Sequence, residues 1–431
     1  MTVDIDPDRL LADLDALSAI GGRSDGGVDR VAWSAADLEA RAWLRDRIQE
    51  MGWHATTDAA MNVFGRTSAE RRRRLLIGSH TDTVPAGGRL DGAYGVVAAL
   101  EVARSLIEAG DPVADHVEIV DFADEEGVRF PCGYFGSKAL TGSLDTDQLR
   151  AARNEAGLPA REILATAGVE LASLPTASGH LEDVAGYIEA HIEQGPILEK
   201  DGCLIGVATG ILGFDRYSVE IVGRSQHGGT TPFDLRADPM RAASEFIAGL
   251  EEVVRSVHDS GRATVGTVSS EGGAINFVAA KVALTFEVRQ PSSRMLQQTV
   301  DAAHALLMSV CEANGCRATV ARHDHIAQTK SGAPLAIEGA FSPPVEFDSR
   351  LIECCDRACA ETGVKHRRMA AGTWHDAGIV AAVRPAAMLL VPSHDGITHA
   401  RDEQTSSSAL IAGARALLHA TRFAVDALPA G

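Results

Sequence analysis

The stretch "RLLIGSHTDTVPAGGRLDGAYGVVAALEVARSLIEAG", residues 74–110, decides the fold. Its opening apolar run has the brevity of a buried strand, and its last part spaces apolar residues as an amphipathic helix that a glycine closes. Strand, loop and helix in that order are the repeating unit of an α/β layer. Between them stand His80, Asp82 and Asp91, where the strand runs out into the loop. Taken alone the three are weak evidence of a site, because a histidine at a strand end is more often satisfied by a hydrogen bond than by a metal.

Outward from this stretch the alternation continues, with "HVEIVDF" and "VAGYIEAHI" as further apolar strands. From about residue 212 the texture changes. "RYSVEIVG" and "KVALTFEVR" alternate like strands with one wet face, and "DPMRAASEFIAGLEEVVRSV" between them reads as a helix. After about residue 328 the α/β alternation returns with "PAAMLLVPS". The expectation is therefore an α/β catalytic domain built from residues 1–211 and 329–431, with an α+β domain, residues 212–328, inserted in it. "SGAPLAIEGAFSPPVEF" is the expected crossing loop, and there is no internal repeat.

Composition agrees with two domains, since 431 residues exceed what one hydrophobic core usually serves. A chain 45% hydrophobic and 23% charged, with no apolar run of bilayer length, is not a membrane protein. The formal charge of −19 disfavours nucleic acid. "RRRR" at 71–74, the one basic cluster, precedes a strand and reads as a solvated turn. The acidic, amphipathic start "MTVDIDPDRLLADLDAL" argues against a secretory signal, so the cytoplasm is the expected address. Seven cysteines without a CxxC pair, Cys354, Cys355 and Cys359 among them, read as reduced thiols.

Three more strand ends carry chemistry. "DFADEEGVRFP" places Glu125 beside Glu126, "EAHIEQGP" places His191, and "VPSHDGITHARDE" places His394 and His399. In an open α/β sheet, groups remote in sequence converge outside the carboxyl ends of the strands. A two-metal cluster fits this inventory. Two cations about 3.5–4 Å apart need a shared carboxylate, ligands on each side and an unligated base for a water's proton. Asp91 is a candidate bridge, and the Glu125–Glu126 pair offers one acid for metal and one for chemistry. Imidazole and carboxylate ligands suit Zn2+, with Mn2+, Co2+ or Ni2+ also compatible.

The motifs "GSHTDTVPAGGRLDGAYGV", "DEEGVRFP", "FGSKALTG", "HIEQGPILE", "RSQHGGTTP", "AINFVAAKVALTFEVR" and "GITHARDE" occur in an order that resembles the M20 metallopeptidase family. More narrowly they are similar to its amidohydrolase branch of N-carbamoyl-L-amino-acid hydrolases, β-ureidopropionases and allantoate amidohydrolases. The resemblance covers nearly the whole chain and implies a metallo-exopeptidase-like catalytic domain with an inserted dimerisation (lid) domain. It implies that His80, Asp91 and His191 hold one metal and Asp91, Glu126 and His399 the other, with Glu125 as general base and Asp82 behind His80. It also implies a homodimer in which His227 reaches across the interface to complete the partner's active site. Gln194, Asn276, Arg289 and His375 are implied to contact substrate, Arg289 through a free carboxylate. From the residues alone, His227 reads as closing a loop, and Asp376 beside His375 reads as a helix cap.

Departures from the family pattern surround the substrate rather than the metals. Allantoate-type members carry Gln-Arg where this chain has Phe214 and Asp215. A Ser-Gly-Ala-Gly run is replaced by Ala371, Gly372, Thr373 and Trp374, and a proline by Ala279. Phe214 and Trp374 favour an apolar or aromatic side chain over a second ureido group. The expected activity is hydrolysis of the linear amide C–N bond of N-carbamoyl or similar small N-acyl L-amino acids. Allantoate amidohydrolase, β-ureidopropionase and N-acyl amino-acid hydrolase or dipeptidase are the alternatives, and a non-catalytic dimeric binding protein would not need both Glu125 and a full ligand set.

Overall fold

The computed structural model describes residues 3–67, 73–154, 156–323 and 340–427. Described residues up to Gly210 and from Phe347 on form one compact unit, and those from Ile211 to Glu346 form a second.

The first unit is built on a mixed sheet. Its strands are β1 (His54–Thr57), β2 (Val63–Arg66), β3 (Arg74–His80), β4 (Val117–Phe122), β5 (Val184–Ile192), β6 (Ile205–Ile211), β7 (His366–Ala371) and β8 (Ala386–Val391). They lie in the order β1-β2-β4-β3-β5-β8-β6, with β7 also pairing β6. β4, β3, β5 and β8 run parallel, whereas β1, β2 and β6 are antiparallel to their neighbours. Every residue of those four parallel strands is buried, as expected of strands covered on both faces. The helices Ala93–Glu108 and Ser407–Ala427 both pack on β3 and β5. The α/β layer expected from residues 74–110 is therefore observed, its helix opening at Ala93 directly behind Gly92. Gly92 has φ +63°, and a Cβ there would lie 2.4 Å from the His80 ring, so glycine is needed both for the turn and for the approach.

The second unit is an antiparallel sheet ordered Arg317–Arg322, Gly213–Val222, Lys281–Gln290, Arg262–Glu271. Lys281–Gln290 alternates between partly and fully buried residues, the one-wet-face pattern legible in "KVALTFEVR". Its buried face, including Leu284, Phe286 and Val288, packs with Phe246 and Leu250 of the helix Pro239–Val257 and Leu307 of the helix Ser293–Ala313. Sequestering a side chain such as Phe246, which has no exposed surface, contributes about 1.5–3 kcal/mol. The first of these helices starts where Asp238 caps the N–H groups of Met240 and Arg241 and Pro239 follows.

Arg74 corrects the reading of "RRRR" as a solvated turn: it is buried at the head of β3, its Nε 3.0 Å from Glu118 of β4. Arg71 and Arg72 lie outside the described residues, as does the expected crossing loop as far as residue 339. Among the described residues no helix is long and apolar enough to cross a membrane. All seven cysteines are buried and free, with Cys354, Cys355 and Cys359 inside the helix Ser349–Thr362.

Candidate metal centre

Because β4, β3, β5 and β8 run parallel, their carboxyl ends share one edge of the sheet. His80 is the last residue of β3, Glu125 and Glu126 follow β4, His191 is next to last in β5, and His399 lies in the segment after β8. Asp91 reaches the same place from the loop after β3. Residues up to 319 positions apart in the chain thus meet at one edge.

Asp91 organises the cluster. Its Oδ1 is 3.1 Å from His191 Nε2, and its Oδ2 is 2.9 Å from His399 Nε2. Glu126 Oε2 stands 3.6 Å from the same His399 nitrogen. Two ligand groups result, His80–Asp91–His191 and Asp91–Glu126–His399, each with its ligand atoms within 4.8 Å of one another. Bonds of about 2.0–2.2 Å to a zinc-like ion bring neighbouring ligand atoms to roughly 3–3.6 Å apart. The separations present, one Asp91 oxygen facing each group, fit a pair of divalent cations.

The imidazoles are oriented from behind. His191 Nδ1 lies 2.9 Å from the Ile192 carbonyl, and His80 Nδ1 lies 3.1 Å from the Asp82 carbonyl, so Nε2 of each faces the cluster. Asp82 thus holds His80 chiefly through its backbone, its carboxylate being 3.5 Å away. That carboxylate instead accepts the N–H groups of Glu125 and Glu126, at 3.2 Å each, and pins the loop that carries both acids.

Glu125 is buried, with Oε2 3.7 Å from His80 Nε2, and belongs to neither ligand group. Burial pushes its carboxyl well above the ordinary range; His80 opposes this, while Asp376 and Glu126 add to it. Asp91 behaves oppositely: against the burial penalty, hydrogen bonds and charge from His191 and His399 hold it well below. A strong proton acceptor therefore stands beside a carboxylate kept ionised, the division of labour that acid–base chemistry needs.

A cavity of about 90 Å³ opens over the cluster, lined by Asp91, Glu125, Glu126, His191, Gln194, Tyr134, Trp374, His375 and His399, among others. The Gln194 amide nitrogen is 3.1 and 3.0 Å from the two Asp91 oxygens, which leaves Oε1 buried and without a partner among the described residues. His375 is buried with its ring 4.3 Å from that of His191; burial first, and the neighbouring imidazole second, hold it well below its usual value and neutral. Asp376 does not cap the helix it opens. Glu189 accepts the Ala377 N–H instead, at 2.8 Å, which corrects the reading of Asp376 as a cap.

His394 stays apart from the cluster, exposed and bonded to Glu199. Reading the sequence missed Glu189, Tyr134, Thr398 and Glu403. Glu189 was signalled by its place two residues before His191, on the same face of β5.

His227, Asn276 and Arg289 belong to the second unit. His227 is exposed, and its Nδ1 accepts the N–H groups of Gly229 and Thr230 at 3.2 Å, so Nε2 carries the ring hydrogen. Asn276 is exposed too. Arg289 donates from Nε to Glu287 at 2.5 Å, and Arg216 shares that carboxylate at 2.7 Å. Both guanidinium groups lie over Phe214, at 4.2 Å for Arg216 and 5.5 Å for Arg289. Phe214 is therefore an aromatic platform under two cations, and Asp215 binds Tyr217 and Arg322.

In the metal-free chain the Glu126 charge raises His399 to about 10, while burial lifts Glu126 to about 7. Both groups must be deprotonated to bind metal. Metal affinity should therefore rise as pH is raised from 7 towards 10, with net release of protons. Calorimetry in two buffers of different ionisation enthalpy checks this, and pH-independent affinity would contradict it.

A family description, peptidase family M20/M25/M40, matches residues 76–422. An allantoate amidohydrolase of Bacillus subtilis (strain 168) is 32% identical over 403 residues, covering 93% of each chain. An N-carbamoyl-L-amino acid amidohydrolase of Geobacillus stearothermophilus is 31% identical over 417 residues, 96% of this chain and 98% of that one. Among solved structures, an amidase of the hydantoinase/carbamoylase family from Burkholderia phymatum superposes with a TM-score of 0.84 at 34% identity, covering 100% of both chains.

Proposed function

The chain belongs to peptidase family M20/M25/M40, and from that premise we propose that it hydrolyses the linear C–N bond of N-carbamoyl or similarly small N-acyl L-amino acids. One observation carries the reading: Asp91 offers one oxygen to each of two ligand groups, with the buried, unligated Glu125 beside them. His80, Asp91 and His191 would hold one divalent cation and Asp91, Glu126 and His399 the other, Zn2+ being our choice for this nitrogen and oxygen donor set. When bound, the two ions supply Lewis-acid polarisation and make water a nucleophile at neutral pH.

The chain's own groups do the rest. Glu125 takes the proton from the attacking water and returns it to the leaving nitrogen. Gln194 would accept a substrate N–H through Oε1, a role supported by the burial of that oxygen without a partner among the described residues. In a homodimer, the partner's copy of His227 would donate from Nε2 to the developing oxyanion, a role its tautomer supports. Arg289 would bind the substrate carboxylate, with Asn276 beside the same polar end and His375, neutral, next to the reacting atoms. For a carbamoyl substrate one water is consumed and the amino acid, ammonia and carbon dioxide leave. Buried thiols support a reducing compartment, the cytoplasm.

Hydrolysis of allantoate is the second reading, favoured by the 32% identity to the Bacillus subtilis enzyme. A panel of N-carbamoyl, N-formyl and N-acetyl L-amino acids, allantoate, carbamoyl-β-alanine and dipeptides separates the two. N-carbamoyl or small N-acyl L-amino acids should lead, and amidation of their carboxyl group should cost about 10²-fold in kcat/KM, the worth of a charged hydrogen bond of roughly 1.5–3 kcal/mol. Allantoate as the best substrate would transfer the assignment to the second reading.

A further inference from the structure

Asp91 has to present two oxygens in a fixed direction, yet it sits in a loop that contains Gly87, Gly88 and Gly92. Glycine-rich backbone does not hold a carboxylate in place by itself. The restraint comes from Glu403, 312 residues further along the chain and only 2% exposed. Its Oε1 accepts the N–H groups of Leu90 and Asp91, at 2.9 and 3.0 Å. Its Oε2 lies 3.2 Å from the Thr398 hydroxyl, which is also 3.2 Å from Asp91 Oδ2. Gly88 leaves room for this arrangement: a Cβ there would stand 2.1 Å from the Glu403 carboxyl group.

Thr398 immediately precedes His399, so the segment that clamps the Asp91 loop also carries a ligand of the second group. We propose that Glu403 is a positioning residue that ties the Asp91 loop to the His399 segment and so sets the geometry in which Asp91 serves the second metal. The inference rests on the two-metal reading of the site. Glu403 belongs to neither ligand group, and its reach, rather than its charge, is what matters. Glutamine keeps a carbonyl oxygen for the same two N–H groups, whereas aspartate is one methylene too short.

The test uses the full chain, stripped of metal and titrated with Zn2+ by calorimetry as wild type, Glu403→Ala, Glu403→Asp and Glu403→Gln. Each variant is also checked for metal-free thermal unfolding. Wild type should take up two ions. Alanine and aspartate should weaken one of them by about 10–100-fold, the usual cost of removing a group that orients a ligand, and glutamine should recover most of that loss. If alanine does not fold, the aspartate–glutamine contrast decides. Wild-type affinity for both ions in the folded alanine or aspartate variant would overturn the role of Glu403, as would a loss in glutamine equal to that in aspartate. Fewer than two ions in wild type would instead overturn the two-metal reading on which it rests.

Discussion

Glu125→Gln is expected to cut turnover by at least ~10²-fold, the typical contribution of a general base, while metal content and substrate binding stay near normal. The substitution keeps size and shape but removes the ability to take a proton. Glu125 belongs to neither ligand group, so the metals should not leave with its charge. Its N–H is already held by Asp82 and its carbonyl oxygen by the N–H of Tyr134, so the loop should keep its course. The expected signature is a fall in kcat with little change in KM and two ions still bound per chain. Near-normal turnover at unchanged metal content would move the base role to another group, and loss of metal would make Glu125 a ligand.

Removal of metal is expected to abolish activity altogether, and to do so reversibly. Dialysis against a chelator should leave folded, inactive protein, and divalent ions should restore it. Asp91→Ala should be inactive and not restored, because both ligand groups lose the same carboxylate. An alanine there also takes from His191 and His399 the carboxylate oxygen that now lies about 3 Å from each. Full activity in stringently metal-free protein would end the two-metal reading. Selective loss of a single ion in Asp91→Ala would mean that Asp91 serves one site and not both.

The local signals that proved readable were periodic ones. The apolar runs of β3, β4, β5 and β8 were visible because strands covered on both faces need every residue apolar or satisfied. Arg262–Glu271 was not read as a strand, since eight of its ten residues are exposed and it offers hardly any hydrophobic alternation. The ligand histidines were noticed because each stands near the end of an apolar run. Glu403 was not, because four residues after His399, in "HARDE", a glutamate looks like any solvated acid. Its burial against the backbone of Leu90 and Asp91 is a fact of tertiary structure alone.

By itself, then, the order of residues determined the α/β class, the α+β texture of the middle of the chain and which side chains have the chemistry for metal. Those properties follow from periods of two and 3.6 residues and from donor type, all of which are local. What only the tertiary structure decided is how these groups face one another. It gave His80 and His191 each a backbone carbonyl behind one nitrogen, turned the two Asp91 oxygens towards different imidazoles, and set the Asp82 carboxylate under the N–H groups of the Glu125–Glu126 loop. It also laid Arg216 and Arg289 over the face of Phe214. The physical reason is that the contacts of the Asp91 and Asp82 carboxylates with His191, His399 and the Glu125–Glu126 loop join residues tens to hundreds of positions apart, and their geometry is settled only when the parallel strands bring their carboxyl ends to one edge.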